Sequence, residues 1–388
     1  MNSGKYVFSQ VMSLLDPNDF IKCVKKYNGN YKVKHFTSWH QLMCLIFGQL
    51  SHRESLSDLI TCLNTQRNQW YHLGLGTGLS KNNLAHANEY RDWRIFADYA
   101  YLLIAEARKV CTDTSDFEIK VDGNVYAIDS TTIDLCLSVF WWAKFRKHKG
   151  AVKMHTQLEV KTGIPTFIHI SDGSVADVNF LDLIEVEAGS IYVLDRGYWD
   201  FDRLYNIHLN KGYFITRFKN NTNYRRLYSS KVDKSAGVLC DQIIRFNGHY
   251  AKKDYPEKLR RIKYHDKETG ITFEFATNHF ELPALEIAQL YKQRWQIELF
   301  FKWIKQHLKI KAFWGYSENA VRTQIYSAII AYVTVVIMKE KMKIKYSTYE
   351  ILQILSLTML NKTQINQLFQ PSTIQNDDEE NPNQLILF

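Results

Sequence analysis

YKQRWQIELFFKWIKQ, residues 291–306, sets one carboxylate, Glu298, among three lysines, an arginine and five aromatic rings. On a helix turning about 100° per residue, Tyr291, Arg294, Glu298, Lys302 and Lys305 fall within an arc of about 80°. Trp295 and Leu299 border that stripe on one side, Ile297 and Phe301 on the other. A solvated charged face ordinarily lies opposite the apolar one. Here apolar side chains flank the charges on both sides, as in the wall of a pocket. The same spacing also suits an exposed helix laced by i,i+4 ion pairs, and the stripe alone leaves both readings open.

Two other acids bear on the choice. Asp129 stands in the strand-like VYAIDSTTI, on the face of Val125, Ala127, Thr131 and Ile133 by the two-residue period. A carboxylate on a core-facing position is costly unless it is paired or holds a metal. Asp195 ends the apolar run IYVLD, at the carboxyl edge of a buried strand, where α/β sheets place their ligands. Either aspartate alone reads equally as a turn or capping residue. With Glu298 they make three hard oxygen donors able to hold Mg²⁺. Two such ions can activate a nucleophile and stabilise the leaving oxygen of an in-line phosphoryl transfer, and Mn²⁺ is expected to substitute. Arg294 and Lys305 would then hold a phosphate backbone, with Tyr291 bonding or stacking beside it.

The rest of the chain frames these residues. The first hundred or so residues are predicted helical, with DPNDF opening one helix and Ser38 capping SWHQLMCLIFGQL. They suit a helix-turn-helix-like DNA reader or a plain bundle. A polar stretch at 112–123 marks a boundary. Beyond it, NVYAIDSTTIDL, VKMHTQLEV and IPTFIHI read as strands, ADVNFLDLIEV as a helix and SIYVLDRGY as a strand. DFDRLYNIHLNKG reads as a helix closed by Gly212, and YFITRFK as another strand. The order predicts a mixed α/β sheet. Short basic strands follow over 220–278, then long helices, then the polar acidic NDDEENPNQ.

Tyr291, Arg294, Glu298 and Lys305 form Y-x2-R-x3-E-x6-K. With IDSTTI and LDRGY as first and second acidic blocks, the chain resembles the DDE transposases of bacterial insertion sequences, in the insertion-sequence-four group. The resemblance covers about residues 120–340. It implies an RNase H-like core of mixed sheet and flanking helices, interrupted by a β-rich insertion and preceded by a helical domain. The corresponding division is 1–115 for DNA-end binding, 116–219 and 279–345 for the core, 220–278 for the insertion, and 346–388 for a helical segment and tail. It further implies a homodimer bridging two inverted-repeat ends of double-stranded DNA. That dimer would hydrolyse one strand at each end and use the freed 3′-OH as nucleophile, through a hairpin intermediate, before joining to target DNA. By the same resemblance, Asp129, Asp195 and Glu298 bind the metals, and Tyr291, Arg294 and Lys305 grip terminal phosphates. One departure stands out: relatives that make hairpins hold a flipped base with aromatic residues including an insertion tryptophan, and this chain has no Trp between Trp199 and Trp295. Phe246, Tyr250, Tyr255 or Tyr264 are the candidate replacements. Two other outcomes remain open on sequence: a nuclease of the same core that cuts without joining, and a transposase-derived DNA-binding protein that no longer cuts.

Composition agrees with a polyanionic partner. Across 388 residues, 49 Lys and Arg against 40 Asp and Glu give a formal charge of +9 and a pI near 9.0. KFRKHKGAVKMH (144–155), preceded by Trp141 and Trp142, interleaves cations with aromatics; Lys144, Arg146 and Lys147, with Lys302, join the DNA-contact candidates. YRRLYSSK and KLRRIKYH repeat the texture, although any one of these is also simply a solvated loop. Lys153 and His155 fall on a strand expected beside that of Asp129. The six cysteines contain no C-x-x-C pair, which argues against zinc fingers and disulfide frameworks and fits a reducing cytoplasm. MNSGKYVFSQ lacks the apolar run of a signal peptide, and IYSAIIAYVTVVIM (325–338) is short for a membrane span and reads as a buried helix.

Overall fold

Side-chain caps decide where the N-terminal helices begin. The computed structural model describes residues 5–76, 79–111, 121–136, 138, 140–146, 149–219, 222–307 and 313–370; the polar segment 112–120, Lys147 and the acidic tail lie outside them. Helix α1 (Val7–Met12) precedes α2 (Pro17–Lys26), whose cap Asp16 accepts from the Asn18 N–H and whose first residue is proline. Helix α3 (Ser38–Leu50) is capped by Thr37 in a box closed by His40, one residue ahead of the expected Ser38. The Ser38 hydroxyl is spent elsewhere, donating to Asn30 and to the Gly29 carbonyl. Helices α4 (Leu56–Asn64), α5 (Lys81–Tyr90) and α6 (Arg94–Val110) follow.

The expected mixed sheet forms next. Strand β1 (Val125–Leu135) pairs antiparallel with β3 (Lys149–Glu159), and β3 carries both β4 (Ile164–Asp172) and the short β2 (Lys144–Arg146) on its other side. On its free side β1 runs parallel to β5 (Ile191–Leu194), and β5 parallel to β6 (Tyr213–Arg217). Helix α7 (Phe201–Leu209), capped by Asp200, makes the crossover between them. Both sheet faces are covered. Val125, Ala127, Ile133 and Val193 enter one apolar cluster; Tyr126, Ile128, Tyr192 and Leu194 enter another, under Phe180, Leu204 and Ile207. That two-sided burial is why β5 is apolar throughout.

Two turns differ from expectation. The segment 176–186 supplies only a 3₁₀ turn, Asp177–Asp182, which starts without a side-chain cap. After α7 the left-handed residue is Lys211, with φ 60°, and not Gly212. Glycine is needed at 212 for proximity, since a Cβ there would lie 2.7 Å from Val186 Cγ1.

The basic strands 224–277 prolong the same sheet. Strands β7 (Tyr224–Ser229) and β8 (Val238–Phe246), the short helix α8 (His249–Asp254), β9 (Leu259–His265) and β10 (Thr272–Thr277) run in sequence. Strand β10 docks antiparallel on β6, and β9, β8 and β7 follow outward. Helices then return as α9 (Ala284–Lys292), α10 (Trp295–His307), α11 (Glu318–Lys341), α12 (Thr348–Thr358) and α13 (Ile365–Leu368). Helix α11 is long and apolar enough to cross a membrane, yet 94% of its apolar window is buried inside the protein. Helices α3, α5 and α6 pack against it, so the N-terminal helices share its core.

One buried ion pair ties the sheet extension to the helices. Arg260 on β9 donates to both Asp241 oxygens at 2.9 and 2.7 Å, and also to the carbonyls of His279 and Leu282 just ahead of α9. Removing one partner of such a pair strands the other charge. Asp241→Ala is expected to cost about 3–5 kcal/mol in urea unfolding, and Asp241→Ala with Arg260→Met to recover most of it; a loss under about 1 kcal/mol for the single variant would show the pair to be dispensable.

Candidate active site

Sheet register brings the two aspartates side by side. The parallel ladder pairs Val125 with Ile191 and ends at Ile128 with Leu194, so Asp129 and Asp195 are the next residue on each strand. Asp195 is extended, with φ −76° and ψ 166°, and opens the 3₁₀ turn Arg196–Tyr198. Helix α10 packs against β1 and carries Glu298 to the same edge.

The basic stripe does not lie on one continuous helix. Between α9 and α10 the chain tightens into i→i+3 bonds, Arg294 N–H to Tyr291 O at 3.1 Å and Ile297 N–H to Arg294 O at 3.2 Å. This break sends neighbouring side chains to different acids. The Tyr291 hydroxyl donates to Asp195 Oδ1 at 3.4 Å. The Arg294 guanidinium spans two carboxylates, with Nη1 to Asp129 Oδ2 at 2.7 Å and Nη2 to Glu298 Oε1 at 2.6 Å. Further along, Lys305 Nζ donates to the Thr132 carbonyl on β1 at 2.7 Å.

Two of the acids, Asp129 and Glu298, therefore meet on one guanidinium, and the third, Asp195, is held by Tyr291. Among the described residues, no group of three His, Cys, Asp or Glu side chains is spaced to hold a metal ion. The site is nonetheless short of positive charge. Burial pushes the Asp129 carboxyl up to about 6, against the lowering effect of the Ser130 N–H and Arg294, and nearby Asp195 and Glu298 push it the same way as burial. Burial likewise pushes Tyr291 up to about 12, with Asp195 adding to it. Burial opposes the charge of Arg294, but Tyr291 and the surrounding carboxylates outweigh it and raise its pKa. Hard oxygen donors with surplus negative charge, already bridged by a cation, suit a divalent ion such as Mg²⁺.

The remaining candidates are placed less centrally. Lys302 is exposed and faces a separate cavity of about 520 Å³ between α10, α11 and the start of α12. Lys144 and Arg146 fall on β2 by their backbone. Lys153 and His155 lie beside Thr132 and Ser130. His155 is fully buried, stacks on Phe180 and is held neutral by burial, its pKa pushed down to about 4, so it belongs to the sheet's other face. Phe246 and Tyr255 are buried and can receive no base, whereas Tyr250 is exposed. Tyr264 lines a cavity of about 370 Å³ together with Arg217, Phe273, Tyr291, Arg294 and Trp295. Arg217 and Phe273 were not singled out from sequence, and Trp295 was named only as a border of the basic stripe. Trp295 follows Arg294 directly and is 51% exposed; Arg217 ends β6, next to the strand that delivers Asp195, and that adjacency was the signal available.

These elements match known proteins. A family model described as the transposase DDE domain matches residues 121–334, more than half of the chain, and a domain of unknown function matches residues 3–76. A putative transposase, y4zB, of Sinorhizobium fredii is 34% identical over 255 residues, spanning 64% of this chain and 68% of that protein. A probable transposase for insertion sequence element IS5377 of Geobacillus stearothermophilus is 27% identical over 233 residues, 60% of this chain and 61% of its own length. The piggyBac transposase, solved by cryo-electron microscopy as a synaptic complex with hairpin DNA, superimposes with a TM-score of 0.48 at 10% identity over 97% of this chain and 88% of that one. Because the DDE match spans residues 121–334, over half of the chain and taking in Asp129, Asp195 and Glu298, and a putative transposase is 34% identical over 255 residues, the chain belongs to the DDE transposase family.

Proposed function

We propose that this transposase cuts and pastes an insertion sequence, with Asp129, Asp195 and Glu298 as its metal ligands. The observation that carries the reading is the meeting of Asp129 from β1 and Glu298 from α10 on one cation, Arg294, with Asp195 at the end of β5 held beside them by Tyr291. On this reading β1–β6 with α7 and α9–α11 form an RNase H-like core, β7–β10 an insertion that widens its sheet, and the N-terminal helices the part that reads the inverted repeats. Two Mg²⁺ ions would be held by the three acids, and when bound would activate water or a 3′-OH and neutralise the leaving oxygen.

The chain's own groups then have separate tasks. Arg294 balances Asp129 and Glu298 until DNA arrives, then turns its guanidinium to a phosphate, for which its fork is equally suited. Tyr291 orients Asp195 and lies beside the same phosphate. Lys305, anchored at the Thr132 carbonyl, reaches the backbone from about two turns beyond Glu298 along α10. Lys302 and the basic residues Lys144, Arg146 and Lys147 extend the set of DNA contacts. Double-stranded DNA ends and target, a homodimer in the synaptic complex and a cytoplasmic setting complete the proposal.

Asp129→Asn, Asp195→Asn and Glu298→Gln are each expected to reduce strand cleavage by about 10²-fold or more, with end binding retained in EDTA; normal nicking by any of the three removes that acid from the site. For Arg294→Ala and Lys305→Ala, DNA binding should weaken and the slope of log K against log salt should fall by about one per residue; an unchanged slope takes that residue off the phosphate. Joining separates transposition from simple nuclease action. Pre-cleaved ends incubated with plasmid should yield covalent insertions, and free ends alone would leave a hydrolytic nuclease.

A further inference from the structure

We propose that Asp177 is a positioning residue for Asp129, acting through Ser130 from the opposite face of the sheet. The inference rests on the reading of Asp129 as a metal ligand. Asp129 Oδ1 accepts the backbone N–H of Ser130 at 2.8 Å. The Ser130 side chain points to the other face of β1, where its hydroxyl donates to Asp177 Oδ1 at 2.7 Å. That same oxygen accepts Lys153 Nζ at 3.1 Å and lies 3.9 Å from His155 Nδ1. Lys153 also donates to the Val175 carbonyl at 2.8 Å, fastening the approach to the 3₁₀ turn that begins at Asp177.

One carboxylate oxygen thus gathers groups from β1 and β3 directly behind the acid that faces α10. The strand period makes the arrangement possible, since consecutive residues of β1 address opposite faces. Pinning Ser130 from behind fixes the peptide whose N–H holds Asp129, and so fixes the direction of the carboxylate. The charge of Asp177 is balanced by Lys153, so the support adds little net field beneath the site. A half-buried ion pair against the second apolar cluster is not needed for stability, where an apolar pair of like volume does as well or better. Its consequence is orientation: groups that hydrogen-bond a metal ligand set its geometry, and their loss typically weakens metal affinity about 10–100-fold.

The test uses the full chain bound to duplex DNA carrying the element's end, with Mn²⁺ as the probe and its paramagnetic resonance signal as the measure of binding. Asp177→Ala is expected to raise the Mn²⁺ dissociation constant about tenfold or more, while metal-free DNA affinity stays close to that of the unsubstituted chain. Ser130→Ala removes the link alone, keeps the Lys153–Asp177 pair, and should act in the same direction if Asp177→Ala does not fold. Unchanged Mn²⁺ affinity in a folded variant overturns the inference, as does a loss matched by an equal loss of metal-free DNA binding. Asp129→Asn, measured in parallel, should lose Mn²⁺. If it does not, the metal reading itself fails, and that outcome differs from one in which only Asp177 and Ser130 prove silent.

Discussion

Three carboxylates stand at one sheet edge, and in this protein a single guanidinium bonds two of them while Tyr291 bonds the third. Arg294 is largely buried and bonds Asp129 and Glu298 through different nitrogens. Much of the surrounding structure serves that contact. The break between α9 and α10 aims Arg294 at β1 while Tyr291 turns to Asp195. Lys305 fastens α10 to the Thr132 carbonyl further along β1. Lys292, at the end of α9, is held by Asp266 and Glu268 in the β9–β10 turn, so the prolonged sheet also fixes the helix that leads into the site. Removing either partner of the Arg294–Asp129 pair would strand a largely buried charge.

The same geometry frames how such a site changes hands. On the proposed function, a divalent cation would compete with the guanidinium for the same oxygens, and a DNA phosphate would compete with those oxygens for the guanidinium. Arrival of DNA and metal together would exchange both sets of partners without stranding a charge. Either alone leaves a surplus, of anion in one case and cation in the other. Burial is what chiefly raises the pKa of Asp129 in the free protein, with Asp195 and Glu298 adding to it.

Much of this was legible in the residues, for reasons that can be named. The two-residue period placed Asp129 on the face of Val125 and Ala127, and the apolar run before Asp195 marked a buried strand end. What periodicity does not carry is pairing. That β1 and β5 are parallel neighbours, with Asp129 and Asp195 one step past the last pair, depends on long-range register. The arc drawn through Tyr291, Arg294 and Glu298 assumed an unbroken helix, and the i→i+3 bonds at Arg294 divide it. Asp177 was hidden for a similar reason: its segment has a helical pattern, but it forms a 3₁₀ turn and its partners Ser130 and Lys153 are distant in sequence. Phe246, at the end of β8, and Tyr255, just after α8, looked available to a base because local sequence does not reveal that the two pack into one buried cluster.

The central claim is that the carboxylates now shared by Arg294 become ligands of a divalent ion when DNA is bound. A structure of the chain with its end DNA and Mn²⁺, the ions located by anomalous scattering, addresses it most directly. The account predicts Mn²⁺ within bonding distance of Asp129 and Asp195, Glu298 turned toward it, and Arg294 on a DNA phosphate. Arg294 still bridging Asp129 and Glu298 in a complex whose ions lie elsewhere would contradict it.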